Sequence, residues 1–193
     1  KDDLLLRQAP LMAVIDEAAE PHANRGKSIL FSHDPQSGTE LNQPAILRKP
    51  EIIHGLRNLV QNAVDFAKTT VWIECHWTDE IISVRIIDNG KGFPAHIIGR
   101  IGDPFVGRRK SVADRQERPE YEGMGLGLFI AKTLLERSGA ELSFANGSDP
   151  YVETPIEHVH TGAIVEVKWP RDVIDARLGR NAVPIGENQQ NVS

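Results

Sequence analysis

Three stretches hold residues whose types and spacing could do chemistry. In "GMGLG", glycines stand at Gly123, Gly125 and Gly127, immediately before an apolar run with helical spacing. Backbone that bare at a helix start can turn free N–H groups toward an anion. A flexible hinge ahead of an ordinary helix is the other reading. In "DNGKGFP", residues 88–94, Asp88 ends a strand-like run and the chain turns through Gly90 and Gly92. A carboxylate there can accept a hydrogen bond from an exocyclic amine, which adenine presents where guanine has a carbonyl. An Asn-Gly turn capped by Asp88 would look the same. In "HGLRNLVQNAVDFA", residues 54–67, Asn58 and Asn62 are four apart and share one helix face. Asparagine is a weak helix former, so two in register call for a role. Their carbonyl oxygens suit Mg²⁺, which favours oxygen ligands while bridging phosphates; a solvated polar face is the plain alternative.

Two familiar phosphate-binding patterns fail. A P-loop needs glycine directly before its lysine, and Lys132 follows Ala131. A dinucleotide fingerprint needs a glycine at its sixth position, where Leu128 stands.

The elements that must position these residues follow from periodicity. A helix opening at Pro50 carries Ile52, Ile53, Leu56, Leu59, Val60, Ala63, Val64 and Ala67 on one stripe. "TTVWIECHW" and "IISVRIID" read as antiparallel strands joined by "TDE", and "AELSFAN" and "GAIVEVKWP" as two more. "KSILFS" is a short strand ended by the turn-rich "HDPQSG". The helix after the glycines runs to about Arg137, and "LLLRQAPLMAVIDEAAE" reads as a helical stripe interrupted by Pro10. Residues 102–122 break the pattern with charges of both signs, the length and composition of a lid. The sum is an α+β fold, a mixed sheet of about five strands backed on one face by three helices.

Composition narrows the function classes. The 193 residues are 40% hydrophobic and 25% charged, enough for one well-buried domain with extra segments or two small ones. A net charge of −5 gives no footprint for nucleic acid or for direct contact with an anionic membrane. The single cysteine, Cys75, excludes an internal disulfide and fits a reducing compartment. Its place in a strand-like run reads as a buried, inert thiol. No run approaches the roughly 20 apolar residues of a membrane span. The chain opens at Lys1 without methionine, and is expected to be a fragment of something longer.

Taken together and in this order, the motifs resemble the GHKL (Bergerat) ATP-binding fold, a two-layer α/β sandwich with a flexible ATP lid. Within it the chain is similar to the catalytic domain of bacterial sensor histidine kinases, closest to the redox-responsive RegB/PrrB type. The stretches "HGLRNLVQNAVDFA", "IGDPF" and "ERPEYEGMGLGLFIAKTLLER" carry that likeness. The resemblance implies Mg·ATP as ligand, with Asn62 on the metal and Asn58 assisting at phosphate or metal. It implies Phe66 against the adenine, Asp88, Gly90 and Gly92 as the adenine-selecting G1 box, and Pro104–Phe105 as the F box. Gly123, Gly125, Gly127 and Leu128 would be the phosphate-facing G2 box, pivoting at Tyr121–Gly123, and Thr161–Gly162 the G3 box. It implies a stub of the dimerisation hairpin at 1–22, the catalytic domain at 23–172 and a disordered tail at 173–193. The implied partners are the kinase's own dimerisation/phosphoacceptor domain and a response regulator. The fragment would be cytoplasmic, within an inner-membrane parent.

The pattern also departs from the family. Asp65 stands where many kinases carry a cation toward the phosphates, leaving Arg108, Arg109 or Lys110 of the lid as candidates. Ala163 follows Gly162 where a threonine is common. No phosphoacceptor box is present: His33 sits two residues before Pro35, and His158 with His160 reads as a strand edge rather than a metal pair. The redox cysteine of that kinase type has no match in Cys75. Two other classes remain open at this point. A clamp ATPase resembling gyrase, Hsp90 or MutL would need a water-activating glutamate where Asn58 stands. A non-catalytic module that binds nucleotide weakly is favoured by Asp65 and Ala163.

Overall fold

Alternation builds the sheet and a 3.6-residue stripe builds the helices that cover it. A computed structural model describes residues 7–35, 43–94, 98, 124–147 and 162–178. The chain begins with β1 (Gln8–Pro10), α1 (Leu11–Ala19), a 3₁₀ turn (Glu20–His22), β2 (Ser28–Pro35) and β3 (Ala45–Leu47). It continues through α2 (Pro50–Phe66), β4 (Thr70–Trp77) and β5 (Ile81–Asp88). The later elements are α3 (Met124–Arg137), β6 (Glu141–Asn146), β7 (Ala163–Pro170) and the short α4 (Arg171–Ile174).

Five strands form a mixed sheet in the order β2-β4-β5-β7-β6, with β2 parallel to β4 and every other pair antiparallel. Val71, Ile73, Cys75 and Trp77 of β4 lie in register with Asp88, Ile86, Val84 and Ile82 of β5. These share one face with Val165, Val167 and Trp169 of β7. That face meets α1, α2 and α3 in one core containing Leu11, Ile15, Leu56, Leu59, Leu128 and Leu135. Helices α2 and α3 approach closely because position 55 is glycine. A Cβ there would stand 2.5 Å from Leu135 Cγ. The register also sets the site: Asp88, opposite Val71, ends its strand on the helix-covered face.

Four expectations change. The stripe expected to be interrupted at Pro10 is helical from Leu11 onward, and residues 8–10, expected on the helical stripe, pair with β3 instead. Helix α1 buries Leu11, Val14, Ile15, Ala18 and Ala19 in the same core, so no packing boundary falls at residue 22. The turn expected from His33 is strand, because β2 stays in register with β4 as far as Pro35↔Trp77, and His33 stacks on the Trp77 ring. Pro35 is tolerated because β2 has a strand on one side only among the described residues.

The tail expected from residue 173 belongs to the domain at least to Leu178. Ile174, Asp175 and Ala176 are buried, and the Ala176 N–H donates to the Ala45 carbonyl at 2.9 Å. Arg171 anchors this end: its Nε donates to Asp175 at 2.8 Å and its Nη1 to the Thr78 carbonyl at 2.8 Å. The lid (102–122), Pro104, Phe105, Arg108, Arg109, Lys110, Tyr121, Gly123, His158, His160, Thr161 and the tail beyond 178 lie outside the described residues. Cys75 is fully buried, which pushes its thiol up to about 12 and makes it inert.

Candidate nucleotide site

Asp88 is the fixed point. It is 2% exposed, and its Oδ1 accepts hydrogen bonds from the N–H of Gly90 at 2.8 Å and of Ala163 at 3.3 Å. Burial raises its pKa; those two N–H groups and the Lys27 ammonium pull it back. With Oδ1 held by the backbone, Oδ2 is the oxygen left to read a ligand. Ala163, the residue after Gly162 where a threonine is common in the family, thus contributes through its backbone N–H.

The glycines around Asp88 are demanded by space. A Cβ at Gly162 would lie 2.2 Å from Asp88 Oδ1 and 2.3 Å from its carbonyl oxygen. One at Gly90 would lie 2.0 Å from the Phe66 carbonyl oxygen. Gly92 adopts φ +78, and a Cβ would also meet Asn146 Oδ1 at 2.6 Å. Phe66 at the end of α2, Asp88 with Gly90, and Gly162 are thus brought together from three separate chain segments.

Two residues that sequence reasoning missed hold this loop in shape. Asn146 clamps it from β6: its Oδ1 accepts from the Phe93 N–H at 2.7 Å and its Nδ2 donates to the Phe93 carbonyl at 2.8 Å. Asn89 staples it to the start of β4: its Oδ1 accepts from Thr69 and Thr70 N–H at 2.9 and 3.1 Å, and its Nδ2 donates to Thr69 Oγ1 at 2.7 Å. Asn89 was visible in "DNGKG" as a turn former. Asn146 had no local signal, since its partner is 53 residues away.

Along α2, Asn58 and Asn62 are half-buried, and no side-chain hydrogen bond ties either amide to another described residue. An amide off the apolar stripe and without a protein partner is free to serve a ligand. Phe66 packs at the edge of the core. The C-terminal carbonyls of α2 are capped by Lys27, whose Nζ donates to the Val64 carbonyl at 2.5 Å and the Asp65 carbonyl at 3.3 Å. Asp65 pairs with Arg25. Neither Lys27 nor Arg25 was expected here.

Gly125 and Gly127 fall in the first turn of α3, where backbone N–H groups lack helical partners. A Cβ at Gly127 would meet no described atom within 4 Å, so the described fold itself gives no reason for glycine there. Leu128 was expected beside the ligand. Its side chain is 1% exposed in the core, because helical spacing stacks it with Ala131 and Leu135. Only its backbone is left for a ligand.

The donor set fits an adenine nucleotide with a divalent ion: one buried carboxylate in a cradle that a Cβ would fill, two free amides on a facing helix, and a glycine-rich helix start. Among the described residues no three of His, Cys, Asp and Glu gather to hold a metal. No helix of the described residues is long and apolar enough to cross a membrane.

Comparison with known proteins agrees with this geometry. The family model described as "Histidine kinase-, DNA gyrase B-, and HSP90-like ATPase" matches residues 48–173. Sensor histidine kinase RegB of Cereibacter sphaeroides is 60% identical over 188 residues, covering 97% of this chain and 40% of that protein. The chain thus spans well under half of this curated relative. Among solved structures, the mycobacterial sensor histidine kinase MprB superposes with a TM-score of 0.59 at 19% identity, over 84% of this chain and 95% of that one. A nucleotide-free catalytic domain of histidine kinase ThkA does so at 0.57 and 18%, over 84% and 93%. At those identities the likeness is one of fold.

Proposed function

Because the chain belongs to the family of histidine kinase-, DNA gyrase B- and HSP90-like ATPases, and is the ATP-binding catalytic domain of a sensor histidine kinase, we propose that it binds ATP with Mg²⁺ and passes the γ-phosphate to a histidine. That histidine stands on the dimerisation domain of the same kinase, and the phosphoryl group goes on to a response regulator. The parent kinase is held at the membrane with this domain on the cytoplasmic side. The observation that carries the reading is Asp88, a buried carboxylate whose Oδ1 is spoken for by Gly90 and Ala163 and whose surroundings exclude any side chain at Gly162.

Each residue has a physical role. Asp88 accepts a hydrogen bond from the adenine amine and so prefers adenine to guanine. Phe66 flanks the base. Asn62 holds Mg²⁺ through its amide oxygen, with Asn58 one turn away on the same face. When bound, the metal neutralises charge on the polyphosphate. The N–H groups at the start of α3 hold phosphate oxygens, aided by the helix dipole. Phosphoryl transfer then needs chiefly alignment with the acceptor. Asn58 cannot activate water, having no basic group, so the site favours transfer over hydrolysis.

Asn62→Ala tests the assignment. The substitution trades a half-buried, unpartnered amide for a good helix former, so the melting temperature should hold. Calorimetric titration should find Mg·ATP affinity lowered at least tenfold. An unchanged affinity overturns the role of Asn62.

A further inference from the structure

Asp65 lies three residues beyond Asn62 on α2, so the two side chains are neighbours, with Cβ atoms about 5–6 Å apart. A bare carboxylate so close to the metal-side amide would repel a polyphosphate. It is not bare. Arg25, from the segment before β2, donates from Nη2 to Asp65 Oδ1, while its Nη1 lies 3.3 Å from His22 Nδ1. The guanidinium is held from two sides and is not a free surface cation.

The group around it is short of acceptors. His22 is only 8% exposed, and its Nε2 has no partner. Burial, then Arg25 and next Arg57, hold the ring below its ordinary pKa against the opposing pull of Asp65. Arginine can only donate, so Nδ1 accepts the hydrogen bond from Arg25, which places the ring's own hydrogen on Nε2. Arg57, two turns back from Asp65 on α2, also buries an unpartnered Nε. Arg25 alone reaches the Asp65 carboxylate, and the buried His22 Nε2 and Arg57 Nε are left without acceptors. A surplus of buried donors of this kind is completed by an anion.

We propose that Arg25 is a polyphosphate-binding residue, brought to the ligand side of α2 from outside the helix and aimed there by Asp65 and His22. This rests on the nucleotide reading above. It assigns Asp65 a function, as the anchor of a cation supplied by another part of the chain. Arg25 has N–H groups beyond those bound to Asp65 and His22, and its planar fork suits phosphate oxygens.

The test compares ligands that do and do not carry phosphate. Arg25→Ala should weaken Mg·ATP and Mg·ADP binding roughly tenfold, the scale of a charge-assisted contact, and leave adenosine binding unchanged. Adding Asp65→Lys to Arg25→Ala returns a cation to α2 and should restore most of the loss. Wild-type affinity of Arg25→Ala for Mg·ATP overturns the proposal. So does an equal loss for adenosine, which reports damage to the base pocket. Asn62→Ala, measured alongside, separates the two claims: if it weakens Mg·ATP while Arg25→Ala does not, only the role of Arg25 fails. If the wild-type domain itself binds no Mg·ATP, the nucleotide reading fails with it.

Discussion

Asp88→Asn is expected to abolish measurable ATP binding and leave the domain as stable as before, or slightly more so. The asparagine oxygen can still accept from Gly90 and Ala163, so the loop keeps its shape. Its NH₂ group then meets the adenine amine, donor against donor. Losing a hydrogen bond to a charged group and burying the mismatch together cost about 3 kcal/mol, or about 100-fold in affinity. Stability moves the other way. Burial raises the Asp88 pKa in the folded protein above its ordinary 3.8. The folded state therefore holds this proton more tightly than the unfolded chain does, and ionisation costs stability as pH rises through the folded pKa. At neutral pH the asparagine variant escapes that cost, and the advantage disappears below pH 3.8. Thermal melts across pH, paired with ATP titrations, check both halves. A large drop in melting temperature would contradict this account of the site.

Arg171→Ala has the opposite profile. Arg171 and Asp175 are 6% and 3% exposed at their side chains, and the guanidinium also holds the Thr78 carbonyl in the β4–β5 turn. Removing one member of such a pair leaves a buried charge alone, at about 3–5 kcal/mol. For a domain of this size the melting temperature should fall by roughly 10 °C. The ATP affinity of the folded protein should be unchanged, because α4 closes the far end of the sheet from the Asp88 loop. Replacing both residues together, Arg171→Met with Asp175→Leu, should recover most of the stability. If the single variant melts like the wild type, the clamp is not what holds residues 171–178 in place.

Much of this was legible because residue type and period spoke together. The apolar stripe of α2 and the alternation of β4, β5 and β7 give the helix-on-sheet layers directly. Asn58, Asn62 and Asp88 stood out because each is a poor choice for its element unless it has a role. What was hidden is non-local. The loop shape depends on Asn146, whose partner Phe93 lies across the sheet, and the charge at Asp65 on Arg25, 40 residues earlier. No spacing rule reaches that far. Leu128 sits in a glycine motif and on a helical stripe at once, and its side chain follows the stripe into the core. The three-residue β1 and β3 are too short for alternation to register, and α1 was assigned outside the core because its apolar face fits a hairpin equally well.

The central claim is that this domain transfers phosphate from ATP to a histidine on another domain. Incubating it with γ-labelled ATP, Mg²⁺ and a dimerisation domain carrying a phosphoacceptor histidine tests this directly. Acid-labile label should appear on that histidine, and should be absent with Asp88→Asn or Asn62→Ala. Label released only as free phosphate, or none transferred by a domain that binds ATP, would contradict it.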